Sequence, residues 1–476
     1  MNERRKHSSR PAHNRPPRRR SSPSAPPAED PARQAALDTL AAVRTRDAYA
    51  NLVLPDLLRQ RRITGRDAAL ATELAYGACR ARGLLDEVLA VCSDRPLSDM
   101  DGSVLDALRL GCYQLLRTRI PAHAAVASTV DLVRATAGSR IAGFTNAVLR
   151  GVSEKDEVAW LAELAPDREQ DPIGHHALRY AHPRWIARAF AEALGDTGDE
   201  LAAALAADDS RPQVHLVAKP GEMSADELAA VTGGDLAPYS PYGVRLDDGD
   251  PGELEPVREH LAIVQDEGSQ LCALALTRVD VETDAAEQRW LDLCAGPGGK
   301  SVLLGALAGL SGATVDAVEK AAHRARLVRT ACAELPVTVH EADGRDPGLP
   351  AGSFDRVLVD APCTGLGALR RRPEARWRRQ PTDVGDLTRL QRELLGSALE
   401  LVRPGGVVAY VVCSPHLAET TGVLAEAVRR SGARQLDARE YFPAMPDLGP
   451  GPNVQLWPHR HGTDAMFCAL LRRPSG

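Results

Sequence analysis

The feature that most constrains the fold is a turn of small residues, Cys294-Ala295-Gly296-Pro297-Gly298-Gly299-Lys300, at the end of an apolar segment. A buried strand that runs into such a turn and then into a helix is typical of an open α/β sheet. Helical stretches near 299–310, 320–334 and 386–402 alternate with further apolar runs, which favours a parallel, doubly wound sheet with an antiparallel final strand. The predicted strands are Trp290–Cys294, Thr314–Glu319, Val337–Glu341, Arg356–Asp360, Val407–Val412 and Ala465–Leu471.

The turn differs from the two common nucleotide-binding loops. A phosphate-binding P-loop needs a glycine where Cys294 stands, five residues before Gly299, and the dinucleotide fingerprint needs a glycine where Ser301 stands. Glu319, at the end of the next predicted strand, can accept both ribose hydroxyls of an adenosine, and Asp343 can accept from the adenine amine. Either acid alone is equally consistent with a solvated loop, but acids at successive strand ends favour an adenosine site.

Two cysteines follow later predicted strands, Cys363 in Asp360-Ala361-Pro362-Cys363 and Cys413 in Val411-Val412-Cys413-Ser414-Pro415. Because parallel strands end at the same edge of a sheet, both thiols are expected beside the glycine-rich turn. A thiolate can add to C6 of a cytosine, and the resulting enamine can accept a methyl group at C5, so the pattern favours cytosine-5 methylation. Asp360 can stabilise that adduct through the ring N3 or the exocyclic amine. A single cysteine at a strand end is more often structural.

Length and charge predict a chain of several domains. The 476 residues exceed the usual size of one domain, and residues 1–150 hold 24 Lys and Arg against 15 Asp and Glu, while the remainder holds 34 against 49. There is no run of about 18 apolar residues and no apolar segment after the Arg-rich N-terminus, which argues against a membrane span or signal peptide and predicts a cytoplasmic protein. The nine cysteines include no Cys-x-x-Cys pair, which argues against metal sites and a disulfide framework.

Four regions are predicted along the chain. Residues 1–30 form a basic tail rich in Pro, Ser and Arg, which is expected to be disordered and either to contact phosphates or only to aid solubility. Apolar residues recur at helical spacing through residues 31–152, which predicts a helical bundle. Residues 153–264 mix short helices with a strand at Val214–Ala218 and form a linking domain, and residues 265–476 form the α/β domain.

Motifs in two regions are similar to those of a known family. The segments Pro121–Val126 and Phe144–Arg150 resemble the NusB-like RNA-binding domain. The glycine-rich turn, Asp360-Ala361-Pro362-Cys363-Thr364-Gly365 and Cys413-Ser414 resemble the RNA (cytosine-5) methyltransferase family, and the layout from residue 31 resembles its bacterial Sun/Fmu-type 16S ribosomal RNA members. The resemblance implies an all-α NusB-like bundle, a small α/β linking domain and a Rossmann-like methyltransferase domain that uses S-adenosyl-L-methionine.

The same resemblance implies roles for individual residues. Cys413 is the nucleophile and Cys363 assists release of the adduct. The cofactor is held by residues 294–300 together with Glu319, Arg324, Asp343 and Asp360. Thr420 stands where the family usually has Asn, which leaves the fine positioning of the loop after Cys413 open.

A run of arginines follows Cys363 directly. Residues 370–379 contain six arginines, one acid and Trp377. Arg370, Arg371 and Arg372 are predicted to pair with RNA phosphates, and Trp377 is predicted to stack on a base of single-stranded or looped RNA. The alternative interpretation is a solvated charged face.

These features together predict a monomeric RNA cytosine-5 methyltransferase without a metal. Its expected substrate is 16S ribosomal RNA or a small-subunit assembly intermediate. Two alternatives remain: a DNA cytosine-5 methyltransferase with Cys363 as nucleophile, and an RNA-binding assembly or antitermination factor whose methyltransferase domain is inactive.

Overall fold

A computed structural model of the chain describes residues 30–247, 249–281 and 287–475. The predicted basic tail at 1–30 therefore lies outside the described residues, apart from Asp30. Asp30 begins the first helix, where its carboxylate accepts a hydrogen bond from the backbone N–H of Arg33 at 3.0 Å and Pro31 occupies the first turn. Asp is favoured as an N-cap because its carboxylate accepts from a backbone N–H that has no partner within the helix. Pro is favoured in the first turn because it has no backbone N–H to satisfy.

The first part of the described chain is a bundle of helices, as predicted. Its apolar faces share one core, which contains Leu74, Leu84 and Leu108. Trp160 and Ala181 also pack into this core, so it extends beyond the predicted limit at residue 152. The helices are α1 Pro31–Arg46, α2 Ala50–Arg61, α3 Gly65–Cys92, α4 Gly102–Arg117, α5 Ala122–Ala137 and α6 Ser139–Val152.

Among its described residues, the middle region has six short α-helices, four before and two among the strands of a small antiparallel sheet with order β2-β3-β1-β4. The strand predicted at Val214–Ala218 is confirmed. The other strands of this sheet were not predicted, because they have too few residues to show a period-two pattern. The elements are α7 Glu157–Leu164, α8 Pro172–Arg179, α9 Arg184–Leu194, α10 Asp199–Asp209, β1 Val214–Ala218, α11 Ala225–Thr232, β2 Asp235–Leu236, β3 Gly243–Leu246, α12 Glu255–Arg258 and β4 Ala262–Val264.

The last region is built on a mixed sheet with strand order β10-β12-β9-β8-β5-β6-β7, and β11 pairs with β12. The pairs from β9 through β7 are parallel and β12 runs antiparallel to β9, so the predicted doubly wound sheet is confirmed. Its elements are α13 Glu267–Arg278, β5 Arg289–Asp292, α14 Gly299–Ser311, β6 Thr314–Val318, α15 Ala322–Ala331, β7 Val337–His340, β8 Phe354–Asp360, α16 Ala375–Arg378, α17 Asp383–Leu401, β9 Val402–Val412, α18 Thr421–Ser431, β10 Arg434–Leu436, β11 Val454–Gln455, α19 Pro458–His461 and β12 Phe467–Arg472.

The strand order creates one topological switch point. From β5 the chain moves outward through β6 and β7, and it then returns to the other side of β5 with β8 and β9. Ligands of open α/β sheets bind at the carboxyl ends of the strands where the order reverses. The ends of β5, β8 and β9 carry the glycine-rich turn and the two predicted reactive cysteines. Within the described ranges, no helix has the length and apolar character needed to cross a membrane.

Candidate active site

The glycine-rich turn links the end of β5 to the start of α14. Gly298 has a φ of 119°, in the left-handed region that favours glycine. Gly296 lies so close to the end of β6 that a Cβ at this position would be 2.3 Å from Glu319 Oε2. The turn therefore needs glycine at 298 for its backbone conformation and glycine at 296 because there is no space for a side chain.

Glu319 and Arg324 hold this turn in place. Glu319 Oε2 accepts a hydrogen bond from the Gly296 N–H at 3.1 Å, and Oε1 accepts from the Ala321 N–H at 2.8 Å. Arg324 donates to the Gly296 carbonyl and lies 3.6 Å from Glu319. A carboxylate has about four acceptor positions, so Glu319 can still accept hydroxyl groups. A cradle without side chains beside an acid with free acceptor positions fits an adenosyl group.

Asp343 lies beyond the end of β7 and is surrounded by cations. Arg345 contacts both of its carboxylate oxygens, at 2.7 and 3.0 Å, and Lys320 lies 2.9 Å from Oδ2. The Arg345 hydrogen bond is the main cause that holds the pKa of Asp343 below its usual range. Asp343 is therefore ionised and able to accept hydrogen bonds, and its contact with adenine stays a prediction.

A partly buried ion pair joins the turn to the end of β8. Lys300 Nζ lies 2.7 Å from Asp360 Oδ2. Burial opposes the charge on Lys300, but attraction to Asp360 outweighs it and raises the pKa of the ammonium group. The site thus keeps a fixed cation at the end of β8.

The two predicted reactive thiols meet at this edge of the sheet. β8 and β9 are neighbours, with Asp360 opposite Val411, so the loops that follow them run side by side. Cys363 Sγ and Cys413 Sγ are 3.4 Å apart and both are free thiols. The hydrogen bond that Cys363 shares with Cys413, together with burial, raises the pKa of Cys363 well above its usual range. Cys363 is accordingly held as a thiol that can donate to the other sulfur.

Cys294 begins the turn, and Asp292 is the last residue of β5. Burial raises the pKa of the Cys294 thiol, and its partly buried side chain packs against the core of the sheet. Asp292 Oδ2 accepts from Ser301 Oγ at 2.7 Å, which ties the end of β5 to the first turn of α14. Burial raises the pKa of Asp292 to about 6, against the opposing effect of that hydrogen bond.

Glu419 was not predicted from the sequence, yet it connects the two cysteine loops. Its carboxylate is fully buried and accepts hydrogen bonds from Thr364, Ser414 and Gln391. Neighbouring Thr420 donates through Oγ1 to the carbonyl of His416 at 3.2 Å. The acid stands in a loop without any periodic pattern, so only its spacing of five residues from Ser414 could have pointed to it.

Two arginines of the run, which were predicted to pair with RNA phosphates, pair with acids of the protein instead. Arg370 and Arg371 each pair with Asp266 and Asp464, at distances from 2.8 to 3.2 Å. These acids come from segments about a hundred residues away in the sequence, and they neutralise the two arginines within the protein. The prediction that Arg370 and Arg371 face RNA is therefore corrected.

Trp377 is likewise engaged inside the protein. Its Nε1 donates to the carbonyl of Cys79 at 3.0 Å, and its ring lies so close to Gly83 that a Cβ there would be 2.2 Å from it. The indole thus packs on α3 and is not free to stack on a base. Arg372 remains exposed, with its guanidinium 5.1 Å from the ring of Tyr49, and its contact with RNA stays a prediction.

Among the described residues, no group of three or more His, Cys, Asp or Glu side chains could hold a metal ion.

Two family models match this chain, one in its N-terminal part and one in its C-terminal part. Residues 281–472 match the family described as 16S rRNA methyltransferase RsmB/F, and residues 30–154 match the NusB family. A putative methyltransferase of Mycobacterium tuberculosis (strain H37Rv) is 60% identical over 93% of this chain and 97% of its own length. A ribosomal RNA small subunit methyltransferase B of Klebsiella pneumoniae is 32% identical over 88% of this chain and 93% of its own length.

Two solved structures share the fold. The crystal structure of PH0851 has a TM-score of 0.77 at 20% identity and covers 94% of this chain and 99% of its own. The structure of NSun6 from Pyrococcus horikoshii with SFG has a TM-score of 0.50 at 18% identity and covers 61% of this chain and 98% of its own.

Proposed function

Because the chain belongs to the RsmB/F family of 16S rRNA methyltransferases, which use S-adenosyl-L-methionine, we propose that it methylates C5 of a cytosine in 16S ribosomal RNA. The observation that carries the proposal is the pair of thiols 3.4 Å apart at the ends of β8 and β9, beside the Lys300–Asp360 ion pair. Carbon-5 of cytosine is a poor nucleophile, so its methylation needs prior addition of a nucleophile at C6. The site offers a thiol for that addition and a second thiol next to it.

Cys413 is the proposed nucleophile. Its thiolate would add to C6, which makes the C5=C6 electron pair available at C5. C5 would then bond to the methyl carbon as the bond from that carbon to the cofactor sulfur breaks, with S-adenosyl-L-homocysteine as the leaving group. Lys300 and Asp360 form a charged pair at the end of β8, on the same edge of the sheet as this sulfur. Asp360 accepts a hydrogen bond from the exocyclic amine or from protonated N3, which stabilises the ring as electrons shift.

Cys363 is the proposed release group. After methyl transfer, a base such as solvent water takes the C5 proton, the electron pair of that C–H bond restores the C5=C6 bond, and the C6–S bond breaks to release the Cys413 thiolate. A thiol 3.4 Å from the departing sulfur can donate a hydrogen bond to it and stabilise the thiolate that forms. The raised pKa of Cys363 keeps that proton in place near neutral pH.

S-adenosyl-L-methionine supplies an electrophilic methyl group when it is bound at this site. The residues proposed to hold it are those of the 294–300 turn with Glu319, Arg324, Asp343 and Asp360. Glu319 would accept the ribose hydroxyls while the turn leaves room for the methionine portion. Asp343 would accept from the adenine amine.

Replacement of Gly296 by Ala is expected to weaken binding of S-adenosyl-L-methionine more than about tenfold, because the new methyl group would displace the Glu319 carboxylate from its hydrogen bonds. Isothermal titration calorimetry measures the affinity directly. Gly309→Ala is the matched control, since Gly309 lies on α14 outside the turn and a Cβ there meets nothing closer than 3.6 Å. Equal affinity for the two variants would contradict the assigned role of Glu319.

The proposed activity is tested by bisulfite sequencing of total ribosomal RNA from the parent and a deletion strain. One protected cytosine in 16S ribosomal RNA is expected to lose protection on deletion and to regain it on complementation with the parent gene. Purified protein with labelled cofactor, naked 16S transcript and immature small subunits then identifies the substrate form. Methyl incorporation into DNA alone would support the DNA methyltransferase alternative, and none into any nucleic acid would support the assembly factor.

A further inference from the structure

We propose that Glu419 is a positioning residue that fixes the separation of the two reactive thiols. This inference rests on the proposed function, which gives each thiol a separate role. Glu419 itself has no role in the chemistry described above. It acts through the residues that follow each cysteine.

The Glu419 carboxylate receives hydrogen bonds from both cysteine loops. Oε1 accepts from the Thr364 N–H at 2.8 Å, and Oε2 accepts from the Thr364 hydroxyl and from Ser414 Oγ, the latter at 2.7 Å. Thr364 directly follows Cys363, and Ser414 directly follows Cys413. The Glu419 carboxylate therefore links the residue that follows Cys363 to the residue that follows Cys413.

A third element locks the same carboxylate. Gln391 on α17 donates from Nε2 to Glu419 Oε1 at 3.0 Å and to the Pro362 carbonyl at 2.9 Å. The hydroxyl of Tyr410, within β9, donates to the Glu419 carbonyl at 2.6 Å. The carboxylate has no solvent exposure, so no water competes for these bonds. Glu419 is thus held from three sides and cannot shift without moving a cysteine loop.

The charge and shape of a carboxylate are both needed here. Two equivalent oxygens accept four donors, whereas an amide offers one oxygen and would direct its NH₂ group at donors. Hydrogen bonds to a buried charged group are also stronger than those between neutral groups. Since a displacement of about 1 Å can disturb reacting groups strongly, the spacing of the two thiols depends on this network.

The test measures thiol spacing without RNA or cofactor. Dibromobimane joins two thiols only when they are close, and the fluorescent Cys363–Cys413 product is quantified by peptide mapping. Glu419→Gln is expected to lower the yield about tenfold, the effect of losing hydrogen bonds to a charged group. Glu426→Gln is the matched control, because Glu426 lies on α18 in surface ion pairs with Arg392 and Arg430. A parental yield in Glu419→Gln would overturn the proposal.

A second variant pair keeps the test decisive if Glu419→Gln fails to fold. Thr364→Val and Ser414→Ala each remove one donor to the carboxylate while the acid remains. The double variant is expected to lower the bimane yield, and to slow expulsion of the RNA more than formation of the adduct. Unchanged yield in the folded double variant would refute the positioning role. Because cross-linking needs no substrate, a protein without cytosine-5 activity would still give a clear result on spacing.

Discussion

Replacement of Cys413 by Ala is expected to abolish both methyl transfer and the covalent protein–RNA complex, because no other group is proposed to add to C6. Replacement of Cys363 by Ala is expected to leave addition and methyl transfer possible but to slow expulsion. This variant should therefore accumulate a protein–RNA conjugate that survives denaturing electrophoresis. The two thiols are only 3.4 Å apart, yet the proposed mechanism predicts opposite results for their removal.

The measurement is a denaturing gel of each variant with labelled 16S transcript and S-adenosyl-L-methionine. Cys92→Ala is a suitable control, since this thiol lies at the end of α3 in the helical bundle. It should behave like the parent protein. A conjugate with Cys413→Ala and none with Cys363→Ala would reverse the assignment and support the DNA-type mechanism.

The sequence predicted the sheet and the meeting of the two thiols for one physical reason. Buried parallel strands are continuous apolar runs, and their carboxyl ends lie at one edge of the sheet. Residues placed directly after such runs must come together, whatever their separation in the chain. This argument brings Asp360, Cys363 and Cys413 to one edge of the sheet, as the structure has them, because each stands at the end of a strand or within three residues of it.

The surroundings of the thiols could not be predicted in the same way. Glu419 stands in a loop, where no periodicity reports burial or direction. The internal partners of the arginine run could not be predicted for a related reason. A cluster of charges in a sequence does not show which acids it will pair with. Asp208 and Asp266, which neutralise it, belong to α10 and to the start of α13. Only the folded chain brings these acids to the arginines.

Arg376 is expected to be the most sensitive residue of that run for stability. Its side chain is completely buried. It donates to the carbonyls of Ala181 and Asp208 and pairs with the carboxylates of Asp208 and Asp209. A further hydrogen bond reaches the carbonyl of Arg80 on α3, so one guanidinium joins the helical bundle, the middle region and the segment after Cys363.

Arg376→Ala should lower the free energy of unfolding by about 3–5 kcal/mol, because it leaves buried acids and carbonyls without their partner. Urea unfolding followed by tryptophan fluorescence measures the loss, and Trp377 reports directly on the contact with α3. Arg389→Ala is the matched control: this arginine is 70% exposed on α17 and pairs with Asp386, so its removal should cost no more than about 1 kcal/mol. Equal destabilisation by the two substitutions would show that the run is a solvated face. A much larger loss for Arg376→Ala would instead mean that these arginines hold the helical bundle against the active-site loop, so that neutralising the run would disturb the fold before any contact with RNA.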